Sequence, residues 1–452
     1  MTIWQPNIQS TSGPRYLAIA NALEDDVKHG RLNPGTKLPT HRELADTLGV
    51  TVGTVTRGYA EAARRGLLRG ETGRGTYVGG EPHHQFVCHK EHHRPEVVDM
   101  KLTLPFEALN PDIGSVLREM ALSPDAHHLL EYSPSAGRQA DRAAGAHWLT
   151  RYNLKADTET ITLTAGGQNA LAVILSALFR PGDAIAVESI TYPLLKTLAR
   201  RFHLKLVPVE QDSSGMIPDS LEEVCRTYGV RGVYVMPSCQ NPTTVRMPDF
   251  RRQEIAALTR RHDLFIMEDD AYGLVAGDFG VPFASRAPER TFFVASLSKP
   301  VAGGLRVAYL VSPSQHVCAV KRAISDMLWM TPPLMAAIAR RWIEDGTADR
   351  TLEAKRNEAA RRTILTATML PEQDIAIQQN GFYGWLKLPE PWTAGDFARV
   401  AEENDVMVSP DDIFVVGRRP LPHAVRLGLS GAPTLDDLKR GLETIRTILQ
   451  SK

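Results

Sequence analysis

The sequence lacks the features that mark secreted, membrane-spanning and strongly charged proteins. Its four cysteines are scattered along 452 residues without C-x-x-C spacing, which argues against a disulfide framework or a zinc ribbon and favours a reducing compartment. No apolar run reaches the roughly 18 residues of a membrane helix, and the N-terminus lacks the apolar core of a signal peptide. The formal net charge is +0, so any surface that binds nucleic acid must be a local patch. We therefore expect a cytoplasmic protein with several domains.

Residues 12–80 predict a small helical domain with a hairpin. A first helical pattern begins at Tyr16, and in "THRELADTLG" the residues Thr40 and Glu43 have the spacing of a capping box. Thr51 can cap a third helix, and the glycine-rich tip of "LLRGETGRGTYV" predicts a hairpin. Two short helices joined by a tight turn and followed by a hairpin are typical of a winged helix-turn-helix. The apolar face expected for the third helix is Val52, Val55, Tyr59 and Ala62.

The same region carries a local positive charge, although the whole chain is neutral. Residues 1–80 hold ten Lys and Arg against seven Asp and Glu. If the apolar face of the third helix points inward, small and polar residues remain outward to enter a DNA major groove, namely Gly53, Thr54, Arg57 and Gly58. For any single charged residue, a solvated surface position is the alternative. The predicted contacts to double-stranded operator DNA are Arg42, Thr51, Thr54, Arg57 and Arg74.

Residues 81–111 are predicted to be a linker. The stretch "EPHHQFVCHKEHHRPEVV" (81–98) has no hydrophobic periodicity and contains two prolines and five histidines. The histidines and Cys88 could bind a metal, but a flexible polar linker explains the composition and no ligand spacing is evident, so we predict no metal site. The histidines in question are His83, His84, His89, His92 and His93.

Residues 112–452 alternate short apolar runs with helical patterns. Continuous apolar strands separated by helices predict a mostly parallel α/β sheet that is covered on both faces. From about residue 350 the pattern changes to amphipathic helices and strands such as "GWLKL" and "AVRLGL", which predict a small α+β subdomain. The apolar runs are "ITLT" (161–164), "AIAV" (184–187), "VYVM" (233–236), "LFIM" (264–267), "FFVA" (292–295) and "VAYLV" (307–311).

Polar residues follow these runs at the positions where a sheet of this kind binds ligands. After the first run, "AGGQNAL" offers backbone amides at a helix N-terminus, which suit a phosphate. The later runs supply aromatic rings, hydrogen-bonding groups, a carboxylate and an amine. The set matches pyridoxal 5′-phosphate, which carries a phosphate, a flat ring, a ring nitrogen, a phenolic oxygen and an aldehyde. Its members are Gly166, Gly167, Gln168, Tyr192, Asn241, Asp269, Tyr272, Ser296, Lys299 and Arg306.

Each group of this cofactor has a predicted partner. Lys299 is the candidate catalytic residue, because its amine can form a Schiff base with the aldehyde. Asp269 would pair with the ring nitrogen and keep it protonated. Ser296, Arg306 and the amides of residues 166–168 would hold the phosphate, since arginine favours bidentate contact. The ring and its phenolic oxygen are assigned to Tyr192, Asn241 and Tyr272.

Residues 112–452 resemble the fold-type I pyridoxal-phosphate enzymes of the aspartate aminotransferase superfamily. The resemblance rests on "EYSPSAG", "AGGQNAL", "TYP", "QNPT", "EDDAY", "SLSKPVAGGLRV" and "VRLGL", which occur in the family's order. It implies two further roles. Tyr132 matches the tyrosine that reaches across a dimer interface to the neighbour's phosphate, and Arg426 matches the arginine that clamps an amino-acid carboxylate.

Residues 14–80 resemble the winged helix of GntR-type regulators through "GRLNPGTKLPTHRELA", "TVGTVTRGY" and "GRGTYV". The two resemblances in one chain are the architecture of the MocR subfamily, a winged helix-turn-helix fused to an α/β fold-type I body. They imply a homodimer that binds operator DNA and uses pyridoxal phosphate to sense an amine or amino-acid effector. A working aminotransferase with an accessory DNA-binding domain is the alternative, and a sensor of pyridoxal phosphate itself is a third.

Overall fold

A computed structural model describes residues 4, 6, 14–28, 31–32, 36–65, 67–71, 75–78, 96–277, 279–417 and 421–451. The chain divides into two compact units, the N-terminal unit Met1–His93 and the C-terminal unit Arg94–Lys452, and each has its own hydrophobic core. The linker histidines and Arg74 lie outside the described residues. No helix among the described residues is long and apolar enough to cross a membrane.

The N-terminal unit contains the three helices and the hairpin that the sequence predicts. The capping box is present: the Glu43 amide donates to Thr40 Oγ1 at 3.3 Å, and the Thr40 amide donates to Glu43 Oε2 at 2.7 Å. Leu68 pairs with Val78 across the antiparallel hairpin. The elements are α1 (Arg15–Lys28), α2 (His41–Leu48), α3 (Val52–Arg64), β1 (Leu68–Glu71) and β2 (Gly75–Val78).

The inward face of α3 differs from the predicted one at two positions. Val52, expected in the core, is 43% exposed, because it lies in the first turn of the helix beside the exposed cap Thr51. Gly58, expected to face outward, is buried against α1. A Cβ at Gly58 would lie 3.1 Å from Ile19 Cβ and from the Tyr16 carbonyl oxygen. The glycine therefore allows α1 and α3 to approach closely, and Gly58 cannot reach a DNA groove.

The C-terminal unit alternates strands with helices over most of its length. Its elements in chain order are β3 (Val98–Asp99), α4 (Ile113–Ala121), α5 (Gln139–Leu149), β4 (Ile161–Thr164), α6 (Gly167–Leu178), β5 (Ala184–Glu188), α7 (Pro193–Arg201), β6 (Lys205–Val209), β7 (Gln211–Asp212), β8 (Gly215–Met216), α8 (Pro218–Tyr228), β9 (Gly232–Val235), α9 (Asp249–Arg261), β10 (Phe265–Asp269), α10 (Gly273–Ala276), α11 (Phe283–Arg286), β11 (Thr291–Ser296), β12 (Ala308–Val311), α12 (Val317–Met327), α13 (Pro333–Glu344), α14 (Thr347–Met369), β13 (Ile375–Ile377), β14 (Gly384–Lys387), α15 (Ala394–Glu403), β15 (Val406–Met407), β16 (Ser409–Pro410), β17 (Ala424–Leu427) and α16 (Leu435–Gln450).

The central sheet has seven strands in the order β4-β12-β11-β10-β9-β5-β6. The strand β12 runs antiparallel to both of its neighbours, and the other strands run in a common direction. All six predicted apolar runs are strands of this sheet, whereas β6 at its edge was not predicted. Alternate residues of β9 enter different cores, with Tyr234 on one face and Val233 and Val235 on the other, so the sheet is covered on both sides.

A second, four-stranded sheet in the order β13-β14-β17-β16 packs with α15 and α16 around a separate core. This is the small α+β subdomain that the sequence predicts. The strand β3 belongs to the same region, because Val98 and Asp99 pair with Val406 and Met407 of β15. The linker prediction of 81–111 is therefore wrong at its C-terminal end, since backbone pairing with a distant strand orders residues that show no periodicity of their own.

Candidate functional site

The carboxyl ends of β4, β10 and β11 meet at one edge of the sheet and form an anion cradle there. Gly166 precedes α6 with φ +85°, and a Cβ at this position would clash with the guanidinium of Arg306. The exposed Arg306 donates to Ser298 Oγ at 3.2 Å and to the Ala165 carbonyl oxygen at 3.2 Å. The Ser296 hydroxyl lies next to Gly167, 3.7 Å from where its Cβ would be. Helix amides, a guanidinium and hydroxyls thus converge as a phosphate requires.

Asp269, the last residue of β10, presents a buried carboxylate atom without a partner. Its Oδ2 accepts a hydrogen bond from the Tyr234 hydroxyl at 2.9 Å. Its Oδ1 has no hydrogen-bond partner among the described residues. Burial raises the pKa of Asp269 to about 7, and the Tyr234 hydrogen bond opposes that rise. A cationic N–H donor placed at Oδ1 would satisfy this carboxylate, which fits a protonated ring nitrogen.

Lys299 lies beyond the end of β11 and points at a backbone carbonyl. Its Nζ donates to the Thr103 carbonyl oxygen and lies 5.4 Å from the centre of the Tyr272 ring. The Tyr272 hydroxyl is 2.7 Å from Thr103 Oγ1, and burial raises the pKa of Tyr272 to about 12. Thr103 therefore contacts both predicted cofactor residues.

Arg426 on β17 is 2% exposed and faces the same site from the small subdomain. Its Nη1 donates to Asn241 Oδ1 at 2.8 Å, and its Nη2 donates to the Lys101 carbonyl oxygen at 2.6 Å. Its Nε has no hydrogen-bond partner among the described residues, and burial lowers the pKa of this arginine. A buried guanidinium held only by neutral oxygens is suited to a ligand carboxylate. Because Asn241 Oδ1 is taken, the Asn241 amide nitrogen is the group left to donate to a ligand.

The other predicted cofactor residues divide into two groups. Tyr192 and Gln168 are half-buried neighbours, with the Tyr192 hydroxyl 3.4 Å from Gln168 Oε1. Tyr132 is not brought to the site within one chain. It is 83% exposed, and its ring lies 6.0 Å from that of Trp329.

In the N-terminal unit, the candidate DNA contacts lie on α2 and at the start of α3. Arg42 and Arg57 are exposed, and the Arg57 guanidinium lies 4.4 Å from the centre of the Tyr16 ring. Thr51 caps α3 by accepting from the Thr54 amide at 3.2 Å, and the two hydroxyl oxygens are 2.9 Å apart. Four of the five predicted residues are thus at the surface or partly exposed, and Arg74 lies outside the described residues.

Comparison with known proteins matches both parts of the chain. The family profile "Aminotransferase class I and II" matches residues 104–445, and "Bacterial regulatory proteins, gntR family" matches residues 15–78. The HTH-type transcriptional regulator YdeF of Bacillus subtilis (strain 168) is 31% identical over 446 residues, which are 99% of this chain and 96% of the relative. The chain belongs to the aminotransferase class I and II family and, as a regulator, to the MocR subfamily of GntR type.

Further relatives and solved structures agree with this assignment. The HTH-type pyridoxine biosynthesis transcriptional regulator PdxR of Corynebacterium glutamicum is 27% identical and covers 81% of each chain. An archaeal alanine:glyoxylate aminotransferase superposes with a TM-score of 0.72 at 24% identity, over 80% of this chain and 92% of its own. The kynurenine aminotransferase of Pyrococcus horikoshii gives 0.73 at 22% identity, over 79% and 91%. These structures share the fold of the regulator's C-terminal unit.

The aminotransferase family depends on pyridoxal 5′-phosphate, and the regulator's own residues fit this cofactor. The unpartnered Asp269 Oδ1 could hold the ring nitrogen, Arg306 with the Gly167 amide could hold the phosphate, and Lys299 could carry the aldehyde carbon. When bound, the cofactor supplies an aldehyde that reacts with amines. The fit rests on an unsatisfied buried oxygen and on a cradle that a Cβ at Gly166 would fill.

Sequence reasoning missed three residues of the regulator's site. Tyr234 reaches Asp269 because β9 and β10 are neighbours, and an aromatic residue inside an apolar run gave no sign of a polar role. Lys101 and Thr103 act mainly through backbone carbonyls, which every residue has. The threonine hydroxyl beside Tyr272 is their only side-chain signature, and nothing local to Thr103 indicates it.

Proposed function

We propose that this pyridoxal-phosphate-dependent regulator carries the cofactor on Lys299, senses an amine or amino-acid effector at the same site, and responds at operator DNA in the cytoplasm. The observation that carries the proposal is that three hydrogen bonds from site residues converge on one short stretch, Lys101–Thr103, which we call the strap. Lys299 donates to the Thr103 carbonyl, Tyr272 pairs with the Thr103 hydroxyl, and Arg426 donates to the Lys101 carbonyl.

Ligand binding would compete with these bonds. The Lys299 nitrogen, once joined to the cofactor, can no longer donate to the Thr103 carbonyl as an ammonium does, and an effector amine that takes its place on the cofactor releases Lys299 to donate again. A ligand carboxylate would take the Arg426 guanidinium from the neutral Lys101 carbonyl, because charge-assisted bidentate bonds are the stronger ones. An amino acid would thus alter two of the three bonds, and an amine without a carboxylate would leave the Arg426 bond in place.

The position of the strap in the chain connects this competition to DNA reading. The strap precedes residue 104, where the match to the aminotransferase family begins, and it follows the residues that join it to the gntR-family segment 15–78. A ligand that prefers one arrangement of the strap shifts the population of that arrangement, and any conformation coupled to it shifts with it. Only a differential affinity of this kind can make the DNA affinity depend on an effector.

A second candidate function has support from relatives. The vitamin B6 salvage pathway transcriptional repressor PtsJ of Salmonella typhimurium is 25% identical over 82% of this chain, and PdxR is named for pyridoxine biosynthesis. In this version pyridoxal phosphate itself is the sensed molecule. The Lys299 bond to the strap would then change between the cofactor-free and cofactor-bound forms without any further effector.

We also propose that the regulator is a homodimer through the face around Tyr132. Large apolar side chains are exposed on the neighbouring stretches 122–132 and 327–330, which are joined by the Tyr132–Trp329 ring contact and by the Ser133 amide next to Met330 sulfur at 3.0 Å. Exposed apolar patches of this kind mark interfaces. Tyr132 would then reach the partner's phosphate, as in the family. The exposed side chains are Leu122, Leu130, Tyr132, Leu328 and Trp329.

The sensing proposal is tested by absorption spectroscopy of the full chain loaded with pyridoxal phosphate. We expect a visible band that Lys299→Ala abolishes and that a few members of a panel of amino acids and amines shift. Arg426→Gln should lose the response to amino acids but keep the response to amines without a carboxylate, while Arg426→Lys should keep the response to these amines and part of the response to amino acids. No lysine-dependent band, or a band that no amine shifts, would contradict the amine-sensing proposal. Steady transamination with a 2-oxo acid at about 1 per second or faster would instead support the enzyme alternative.

A further inference from the structure

A second lysine, Lys355 on α14, is completely buried close to the site, and the proposal above gives it no role. Its side chain is 0% exposed, and its Nζ donates to the Val301 carbonyl oxygen at 2.5 Å and to Asn110 Oδ1 at 3.1 Å. Both partners are neutral oxygens. A buried ammonium costs several kcal/mol of desolvation unless it is hydrogen-bonded, and a hydrophobic side chain of the same length would avoid that cost. The position of Lys355 therefore calls for a functional reason.

The two hydrogen bonds of Lys355 fix two backbone segments next to Lys299. Val301 is two residues beyond Lys299, in a turn where the Val301 amide donates to the Leu297 carbonyl at 3.0 Å. Asn110 belongs to the segment that also contains Thr103, the acceptor of the Lys299 amine. Lys355 thus ties the turn that carries Lys299 to the segment that Lys299 contacts.

The charge of Lys355 also acts on Lys299. Burial is the largest cause that lowers the pKa of Lys355 to about 7, and the positive charge of Lys299 is the next. Glu107, an exposed carboxylate on the segment before Asn110, acts in the opposite direction. On its other side Lys299 faces the Tyr272 ring. With this pKa, Lys355 carries its positive charge mainly below about pH 7. Because Coulomb interaction is mutual, a proton on Lys355 disfavours a proton on the Lys299 nitrogen as much as the reverse.

We propose that Lys355 is a positioning residue for Lys299: it fixes the turn that carries the cofactor lysine and places a positive charge that favours the uncharged form of the Lys299 nitrogen. This inference rests on the proposed function in one respect, namely that Lys299 carries the cofactor. An uncharged nitrogen next to the cofactor can accept the proton of an incoming amine, so the charge at Lys355 would set the pH range in which an effector can exchange onto the cofactor.

The test is a pH titration of the absorption band of full-length protein loaded with pyridoxal phosphate. Lys355→Met keeps an unbranched side chain of nearly the same length and removes the charge, so the midpoint of the band's pH transition should rise by about 0.5–2 pH units. Lys196→Met is the matched control. Lys196 also donates to two backbone carbonyls, those of Ile413 and Val415, and its loss should leave the midpoint unchanged.

A second variant guards against misfolding of Lys355→Met. Asn110 is exposed, so Asn110→Asp should fold, and a carboxylate beside Lys355 would offset its charge and raise the midpoint in the same direction. A wild-type midpoint in whichever of the two variants binds the cofactor would overturn the role of Lys355. A wild-type protein without any lysine-dependent band would instead overturn the proposed function, so the two failures are distinguishable.

Discussion

In the N-terminal unit, the described side chains expected to meet DNA are at least partly exposed, and the Thr51 and Thr54 hydroxyls are already hydrogen-bonded to each other. In the C-terminal unit, the side chains expected to meet the cofactor and effector include buried groups, Asp269 and Arg426, that retain polar atoms with no hydrogen-bond partner in the part of the chain that the structure describes. Double-stranded DNA, a polyanion, is expected to contact exposed charges that stay hydrated until it binds. A small ligand is met by groups whose desolvation has already been completed during folding, so binding recovers part of that cost.

The largest expected effect is on cofactor affinity when the unpartnered carboxylate is neutralised. Asp269→Asn removes the negative charge from a buried site that would face the ring nitrogen, so the affinity for pyridoxal phosphate should fall by ~100-fold or more. Equilibrium titration followed by absorbance measures this. Glu268→Gln is the matched control, because both Glu268 oxygens accept backbone amides of Phe283 and Ala284 and serve the fold. Equal losses of cofactor affinity in the two variants would contradict the claim that Asp269 contacts the cofactor while Glu268 only supports the fold.

Next in size is a stability effect confined to the N-terminal unit. Gly58→Val places methyl groups where a Cβ alone is 3.1 Å from Ile19 and from the Tyr16 carbonyl, and overpacking of this kind should cost about 2 kcal/mol. Gly53→Val lies in the same helix, where a Cβ would be 3.8 Å from Thr51 Oγ1. It carries the same change in helix propensity, a small gain because valine is a better helix former than glycine, without the clash. Thermal unfolding should show a lower transition for Gly58→Val than for Gly53→Val, with the cofactor band of the C-terminal unit unchanged in both. Identical transitions would show that α1 and α3 do not need the glycine.

The unpartnered carboxylate also predicts a pH dependence of stability. Burial raises the pKa of Asp269 to about 7, well above that of an unfolded aspartate, so between about pH 4 and 7 the folded chain binds more protons than the unfolded one. The cofactor-free protein therefore loses stability as the pH rises from about 4 to 7, because the buried Asp269 must ionise. Asp269→Asn lacks this loss, and its advantage over wild type should grow from pH 5 to pH 8 to about 2 kcal/mol. If the unfolding midpoints of Asp269→Asn and wild type differed by the same amount at all pH values, the predicted loss of stability from ionising Asp269 would be refuted.

The smallest expected effect is on DNA affinity. Arg57→Ala removes an exposed guanidinium expected to contact the operator, so affinity should fall by about tenfold, and the salt dependence of binding should weaken by about one counterion. Arg31→Ala is the control, because Arg31 is already paired with Asp25 and Asp26 at 3.0 and 2.6 Å. Binding isotherms at several salt concentrations measure both. A larger loss in Arg31→Ala would place the DNA surface elsewhere on the unit.

Much of the fold is predictable because its signals are local. The capping box at Thr40 and the apolar runs of the central sheet depend on residues a few positions apart. The strand β6 was not predicted because it begins with the polar Lys205 and contains Pro208, which interrupt the apolar pattern. It lies at the edge of the sheet, where a proline is tolerated. The prediction for Gly58 was wrong because a hydrophobic pattern locates the edge of a buried helix face only to within about one residue. Whether Gly58 faces inward is decided by its contact with α1.

The site residues that lie in family motifs could be predicted from the sequence. The residues that contact them from distant parts of the chain could not. Lys299 and Asp269 stand at strand ends, and their residue types alone suggest their chemistry. Tyr234, Thr103 and Lys355 become relevant only once the chain has brought together positions 35 or more residues apart. Backbone carbonyls accept the bonds of Lys299 and Lys355, and no sequence pattern distinguishes one carbonyl from another.

The most direct test of the account is the operator affinity of the full-length, cofactor-loaded protein with and without an amine that shifts its absorption band. The account predicts that the effector changes the affinity of wild type by about 5- to 150-fold, as is typical of allosteric coupling, and that Lys299→Ala shows no such change. An affinity that stays constant in wild type, or that changes equally in Lys299→Ala, would contradict the claim that chemistry at Lys299 controls DNA reading.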